Sequence, residues 1–282
     1  MDLLHPTRTL VMGILNLTDD SFSDGGSWTD PQVALAHARD MVAAGADIID
    51  IGAESTRPGA HRVSESQEIE RVVPIITALH ADGVVTSIDT MRASTARAAI
   101  AAGVDILNDV SGGLADPGMY QVMAESGLPS ILMHWDTGGQ PFGNATGDSH
   151  VGRDVVADVH AGLQDVVDRA VAAGVKREKI IIDPGLGFSK SQTGDWEVLA
   201  ATASFVATGF PVLIGQSRKR FLGELRATWS EHSGTEYRDL STHAVSAISA
   251  YLGAWAVRVH DVEGTRDAVE VAAAWHRHEQ RG

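Results

Sequence analysis

Apolar residues fall along this chain in short, nearly continuous runs, separated by longer stretches in which they recur every third or fourth position. The runs are TLVMGIL (9–15), DIIDIGA (47–53), VVTSIDT (84–90), DILNDV (105–110), PSILMHW (129–135), KIIIDPG (179–185), PVLIGQS (211–217) and AVRVHDV (256–262). Runs of this kind read as parallel strands covered on both faces. The intervening stretches predict helices over 31–44, 64–82, 92–102, 117–126, 151–173, 194–208, 239–254 and 262–278. Asp30 is placed as an N-cap with Pro31 at the first helical position. Ser64 opens the second helix, which Pro74 should kink or divide. A weak repeat supports the alternation: AAGADIIDIG (43–52) resembles AAGVDILNDV (101–110), and AAG returns at 172–174 before the sixth run. Each copy reads as a helix closed by a Gly cap and followed by a strand. Eight such units predict an α/β fold, a single (β/α)8 TIM barrel over residues 1–282, with its active site at the C-terminal strand ends. An open doubly wound sheet would want a Gly-rich first turn, which is missing. The polar stretches 136–150 and 228–238 read as long surface loops.

Composition narrows the function. With 22 basic and 37 acidic residues the net charge is −15, which argues against a nucleic-acid surface or an anionic membrane as partner. There is no cysteine, so disulfides, thiolate metal sites and cysteine nucleophiles are excluded. MDLLHPTRTL lacks the regions of a signal peptide, and no apolar stretch approaches the roughly 20 residues that span a bilayer. The expectation is a small-molecule protein of the cytoplasm.

Candidate chemistry gathers at the strand ends. These carry Asn16, then Glu54-Ser55-Thr56-Arg57, Asp89, Asn108-Asp109, His134, Asp183, Ser217-Arg218-Lys219, and Arg258 with His260. In a barrel all eight ends meet at one mouth. Asp89, Asn108 and Asp183 would suit the amide and amino edge of a flat heterocycle, or else the backbone of their own loops. DPGLGF (183–188) adds a tight turn and an aromatic surface, Phe188. Arg57, Arg218, Lys219, Arg258 and His260 bring positive charge to an acidic chain and point to an anionic ligand such as phosphate. A helix beginning near Lys219 would present its first amides to that anion. A nucleophile elbow, zinc-spaced ligands and a Walker loop are all missing from the sequence.

The segments MGILNLTDDSFSDGG, DIGAESTRPGA, SIDTMR, NDVSGG, MHW, DPGLGF, SRKRFLG and RVHDV, in this order over nearly the whole chain, resemble the dihydropteroate synthases of folate biosynthesis. The resemblance implies a transferase that joins 6-hydroxymethyl-7,8-dihydropterin pyrophosphate to p-aminobenzoate. It implies Asp89, Asn108 and Asp183 as partners of the pterin edge, Lys219 closing that pocket, and Met133 and Phe188 lining it. Arg258 would lie against the pterin and, with His260, Thr56 and Arg57, reach the pyrophosphate. Asn16 would help hold Mg²⁺ there. Ser217 and Lys219 would lie near p-aminobenzoate, in a slot made with Phe22, Pro58 and Phe188. Phe22, Ser23 and Asp24 match one catalytic loop; Thr56, Arg57 and Pro58 match a second. Leu17 and Asp19 stand where the family commonly has Val and Pro, which predicts a looser first loop. A homodimer through the helices at 239–254 and 262–278, which are Ala-rich and flanked or tipped by Trp255 and Trp275, is also implied.

The expected reaction is a dissociative displacement, with Asp24 placing negative charge near a pterin-conjugated cation. Two other readings share the pterin pocket. One is a methyltransferase passing a methyl group from methyltetrahydrofolate to a corrinoid, which would not need the Ser217-Arg218-Lys219 and RVHDV groups. The other is a pterin-binding paralogue without turnover.

Overall fold

The structure, a computed structural model, describes residues 2–18, 30–54, 63–142 and 147–279. Among them β1 (Leu10–Asn16), β2 (Ile48–Gly52), β3 (Thr86–Asp89), β4 (Ile106–Asp109), β5 (Ser130–Met133), β6 (Ile180–Asp183), β7 (Leu213–Ile214) and β8 (Ala256–Val259) form one sheet. Its strand order is β6-β5-β4-β3-β2-β1-β8-β7, with every pairing parallel. A parallel bridge between Ile182 and Val212 joins β6 to the entry of β7 and closes the barrel. The Ile182 amide donates to the Pro211 carbonyl there at 2.9 Å.

The helices are α1 (Pro31–Ala43), α2 (Glu65–Ala81), α3 (Ala93–Ala101), α4 (Met119–Ser126), α5 (Val155–Ala172), α6 (Gln192–Ala200), α7 (Thr202–Val206), α8 (Arg220–Ala227), α9 (Asp239–Tyr251) and α10 (Val262–Glu279). Their caps follow the local sequence. Asp30 accepts from the Gln32 amide at 2.8 Å, and Ser64 forms a reciprocal capping box with Gln67. Asp154 accepts from Val156 and Ala157, which starts α5 at residue 155 rather than 151. The stretch predicted as one helix over 194–208 divides at Ala201, giving α6 and α7.

Helix α2, by contrast, runs undivided through Pro74. Pro74 lies on the exposed side, where water can take the Glu70 carbonyl that loses its donor, while Val72, Ile75, Ile76 and Leu79 stay buried opposite. Packing of that face holds the helix together, as it does for most helices in proteins.

Alternation along the strands sorts the core into layers. Leu10, Met12, Ile48, Ile106, Ile131, Ile181, Leu213 and Ala256 form one cluster that fills the barrel interior. Their chain neighbours Val11, Ile49, Leu107, Leu132, Ile180, Ile182, Ile214 and Val257 belong to a second cluster, between sheet and helices. Successive strand side chains point to opposite faces, so these two clusters fix which parity of each strand looks into the barrel. No described helix is long and apolar enough to cross a membrane.

Candidate active site at the barrel mouth

Carried up each strand, the inward parity reaches Asn16 on β1, Gly52 on β2, Asp89 on β3 and Asn108 on β4. It continues to Met133 on β5, Asp183 on β6, Ser217 beyond β7, and Arg258 and His260 on and after β8. The register puts Asn16 opposite Gly52, Gly52 opposite Asp89, and Asp89 opposite Asn108, all at one level. Met133 is likewise opposite Asp183. A side chain on Gly52 would begin 3.3 Å from Asp89 Cβ, so glycine there leaves room for the carboxylate.

Charge in this layer is organised around Arg258. Its Nε donates to Asp50 Oδ2 at 2.6 Å and its terminal nitrogen to Asp89 Oδ2 at 2.8 Å. Asn108 Nδ2 lies 3.3 and 3.2 Å from the two oxygens of Asp50. One guanidinium thus serves two carboxylates. Burial pushes the Asp89 carboxyl up to about 7, Arg258 pulls against that shift, and the Asp50 charge adds to it. Burial likewise raises Asp183, against the pull of Lys219.

The turn after β6 brings in the next groups. Asp183 Oδ1 accepts from the Gly185 amide at 2.7 Å, and Asp195 Oδ1 accepts from the Gly187 amide at 2.6 Å. Lys219 caps α8 and donates through Nζ to the Leu186 carbonyl of this turn. Burial lowers its ammonium to about 8, with Asp183 and Asp195 opposing the shift and Arg258 adding to it. The buried Lys190 braces the same turn, donating to the Gly185 and Phe188 carbonyls at 2.8 and 3.0 Å. Beside these polar groups Met91, Val110, Met133 and Trp135 form a separate apolar cluster, with Phe142 and Phe188 packed on it. Phe188 meets Trp135 edge-on at 5.0 Å between ring centres. A polar rim set against an apolar wall suits a flat heteroaromatic ligand with a hydrogen-bonding edge.

Between β7 and β8, Ser217 Oγ accepts from the His260 backbone amide at 3.1 Å and pairs with His260 Nδ1 at 2.9 Å. Two expected ligand groups therefore hold one another in place. Asn16 is half-buried at the end of β1, on the inward parity and opposite Gly52. Among the described residues no group of three or more His, Asp or Glu side chains could hold a metal ion.

Three residues that the strand-end pattern places at the mouth serve elsewhere. Asp109 and His134 have outward parity. Asp109 accepts from Ser111 and from the Gly113 amide and so shapes the turn after β4. His134 is buried toward α5, with its ring against Gly162 and Lys190 Nζ 3.4 Å from Nδ1. Arg218 is committed to Asp239 through Nε at 2.7 Å and a terminal nitrogen at 2.9 Å. Phe22, Ser23, Asp24, Thr56, Arg57 and Pro58, together with Asp19 and Asp20, lie outside the described residues. Both stems of the segment bearing Arg57 are described, and Arg92 joins them. It pairs with Glu54 at 2.9 Å, donates to the Val63 carbonyl at 3.0 Å, and also holds the buried Glu68.

The residues not anticipated from sequence are Asp50, Lys190, Asp195 and Trp135. Counting back by two from Gly52 puts Asp50 on the inward face, and counting on by two from Met133 does the same for Trp135. Lys190 and Asp195 carry no such signal.

Comparison with known proteins agrees with this geometry. The sequence model of the family described as pterin binding enzymes matches residues 12–260. The chain is 49% identical over 268 residues to a dihydropteroate synthase of Mycobacterium leprae, covering 94% of this chain and 93% of that one. Among solved structures, the dihydropteroate synthase of Yersinia pestis in complex with a sulfonamide drug superposes with a TM-score of 0.88 at 38% identity, covering 98% and 96% of the two chains. That of Xanthomonas albilineans with 4-aminobenzoic acid gives 0.84 at 39% identity, covering 95% and 93%.

Proposed function

The chain belongs to the pterin binding enzyme family, and on that premise we propose that it acts as a dihydropteroate synthase. It joins 6-hydroxymethyl-7,8-dihydropterin pyrophosphate to p-aminobenzoate, giving 7,8-dihydropteroate and pyrophosphate. The observation that carries this reading is the meeting of Asp89, Asn108, Asp183, Lys219 and Arg258 at one mouth, beside the wall of Met133, Trp135 and Phe188. Carboxylates accept from the ring N–H and amino groups of a pterin, and an ammonium donates to its carbonyl oxygen. Phe188 offers the ring a stacking face.

Bond breaking comes first in the proposed mechanism. The bond from the pterin methylene carbon to the pyrophosphate oxygen opens, and its electron pair leaves with pyrophosphate. The remaining cation is conjugated with the pterin ring, and Asp24 supplies the negative charge beside it. The amine lone pair of p-aminobenzoate then forms the new C–N bond, and the nitrogen sheds one proton to water. Arg57, Arg258 and His260 hold the departing pyrophosphate, with Thr56 at its edge. Phe22, Pro58 and Phe188 form the slot for the benzoate ring, Ser217 and Lys219 lie near that substrate, and Ser23 belongs to the closing loop.

Mg²⁺ fits this site. Asn16, in register with Gly52 and so at the level of Asp89, would supply a hard amide oxygen, and the ion keeps several waters and takes substrate phosphates as its other ligands. When bound, it offsets charge on the pyrophosphate. Leu240, Ile248, Val271 and Trp275 on α9 and α10, exposed by 68%, 60%, 62% and 64%, support a homodimer through that wall. The acidic, cysteine-free sequence supports a place in the cytoplasm.

Incorporation of labelled p-aminobenzoate into dihydropteroate, with and without Mg²⁺, tests the proposal. Product that depends on both the pterin pyrophosphate and the metal is expected. Pterin binding without product would favour the non-catalytic paralogue.

A further inference from the structure

Asp50 lies on the inward face of β2 with no exposed side-chain surface, below the layer that faces the ligand. It has no place in the reaction just described, yet two ligand-facing side chains converge on it. Arg258 donates to it through Nε at 2.6 Å, and Asn108 approaches both oxygens through Nδ2 at 3.3 and 3.2 Å. Elsewhere the barrel interior is filled by Leu10, Met12, Ile48, Ile106 and Ile131. A carboxylate at such a position is costly unless its partners are fixed around it.

The chemistry of those partners is one-sided. An ionised carboxylate only accepts, so Asn108 can meet it only with its NH2 group. This sets the flip state of the amide: nitrogen toward the floor, carbonyl oxygen toward the mouth. The same carboxylate takes the Nε edge of Arg258, and Asp89 takes a terminal nitrogen at 2.8 Å, so two anchors define the guanidinium plane. We infer that Asp50 is a positioning residue of the pterin pocket, setting the orientation of the Asn108 amide and the Arg258 guanidinium before ligand arrives. This rests on the reading of the mouth as a pterin site.

An amide at position 50 breaks the arrangement with almost no change of volume. Its single oxygen can serve Arg258 or Asn108, and its NH2 then faces a second donor. Asn108 relieves that conflict by turning over, which exchanges the groups it shows to the ligand. Asp50→Asn should therefore weaken binding of dihydropterin pyrophosphate about 10- to 100-fold, the worth of charged hydrogen bonds. The KM for p-aminobenzoate should move by less than about 2-fold, because no group facing that substrate is disturbed.

Calorimetric titration of the full chain with dihydropterin pyrophosphate, beside steady-state kinetics, reads both quantities. A pterin affinity that stays within about 3-fold of wild type overturns the inference. So does an equal loss in both substrates, because that marks a merely structural residue. Should the variant fail to fold, ¹⁵N NMR of the wild-type protein decides the matter. Slow exchange of the Arg258 Nε–H and Asn108 side-chain protons without ligand is expected, and exchange as fast as that of an exposed amide overturns the assignment. Wild-type turnover is scored separately: pterin binding without product refutes the proposed reaction and leaves the Asp50 result standing on the titration.

Discussion

Lys219 holds its ammonium 4.7 Å from the centre of the Phe188 ring while donating to the Leu186 carbonyl two residues earlier in the same turn. The pocket's cation and its aromatic face are therefore built as one unit. With the ammonium lowered to about 8 by burial, its charge is present below that pH and lost above it. Dihydropterin pyrophosphate should bind progressively more weakly as pH rises through about 8. Lys219→Met should bind it about 10- to 100-fold more weakly at pH 7, and without that high-pH limb. Titrations between pH 6 and 9.5 check both statements.

Gly185 has φ +71°, and a Cβ there would lie 2.0 Å from the His134 carbonyl oxygen. Neither strain can be relieved by a rotamer change, since both involve backbone. Gly185→Ala should cost about 2–4 kcal/mol of stability and displace Asp183 and Phe188 together. Urea unfolding measures the first effect, and loss of pterin affinity reports the second.

His134 is buried beside Lys190, and burial, with the Lys190 charge adding to it, lowers its ring to about 3. A base whose folded pKa lies below its unfolded value makes the native state bind fewer protons. Its contribution to stability is complete above pH 6.5 and falls away between there and about 3. His134→Asn should therefore lose less stability than wild type between pH 7 and pH 5, by on the order of 1–2 kcal/mol. Parallel urea titrations at the two pH values give the difference directly.

Asp24 is proposed to act on charge that exists only during reaction. Asp24→Ala should lower kcat by ~10²–10³ and change the affinity for dihydropterin pyrophosphate by less than about 3-fold. Rapid-quench measurement of the chemical step, beside equilibrium titration, separates the two. A kcat within a few-fold of wild type would remove Asp24 from the mechanism.

The barrel is legible in the sequence because eight apolar runs alternate with helical stretches, and the polar residues crowd one end of each run. Side-chain direction is harder to read. Strands covered on both faces hide their two-residue alternation under continuous Ile, Leu and Val. Met133 and His134 are neighbours in one such run, yet Met133 lines the mouth and His134 packs outward on α5. Asn108 and Asp109 divide in the same way.

Asp50 shows the opposite failure. Within DIIDIGA it resembles Asp47, which sits near the foot of the barrel and pairs with Arg8 at 2.7 Å. Strand parity separates the two, since Asp50 shares the inward face of Gly52 and Asp47 does not, but the continuous apolar run conceals that alternation. Pro74 shows the limit of local rules, since packing of the buried face of α2 outweighs the missing hydrogen bond.

Product analysis of wild type and Asp183→Asn supplied with dihydropterin pyrophosphate, p-aminobenzoate and Mg²⁺ tests the proposed reaction most directly. Wild type should form 7,8-dihydropteroate and pyrophosphate in equal amounts, and Asp183→Asn should need about 10- to 100-fold more of the pterin substrate for the same rate. No dihydropteroate from wild type, or an Asp183→Asn variant that is kinetically indistinguishable from it, would contradict a dihydropteroate synthase that binds its pterin through Asp183.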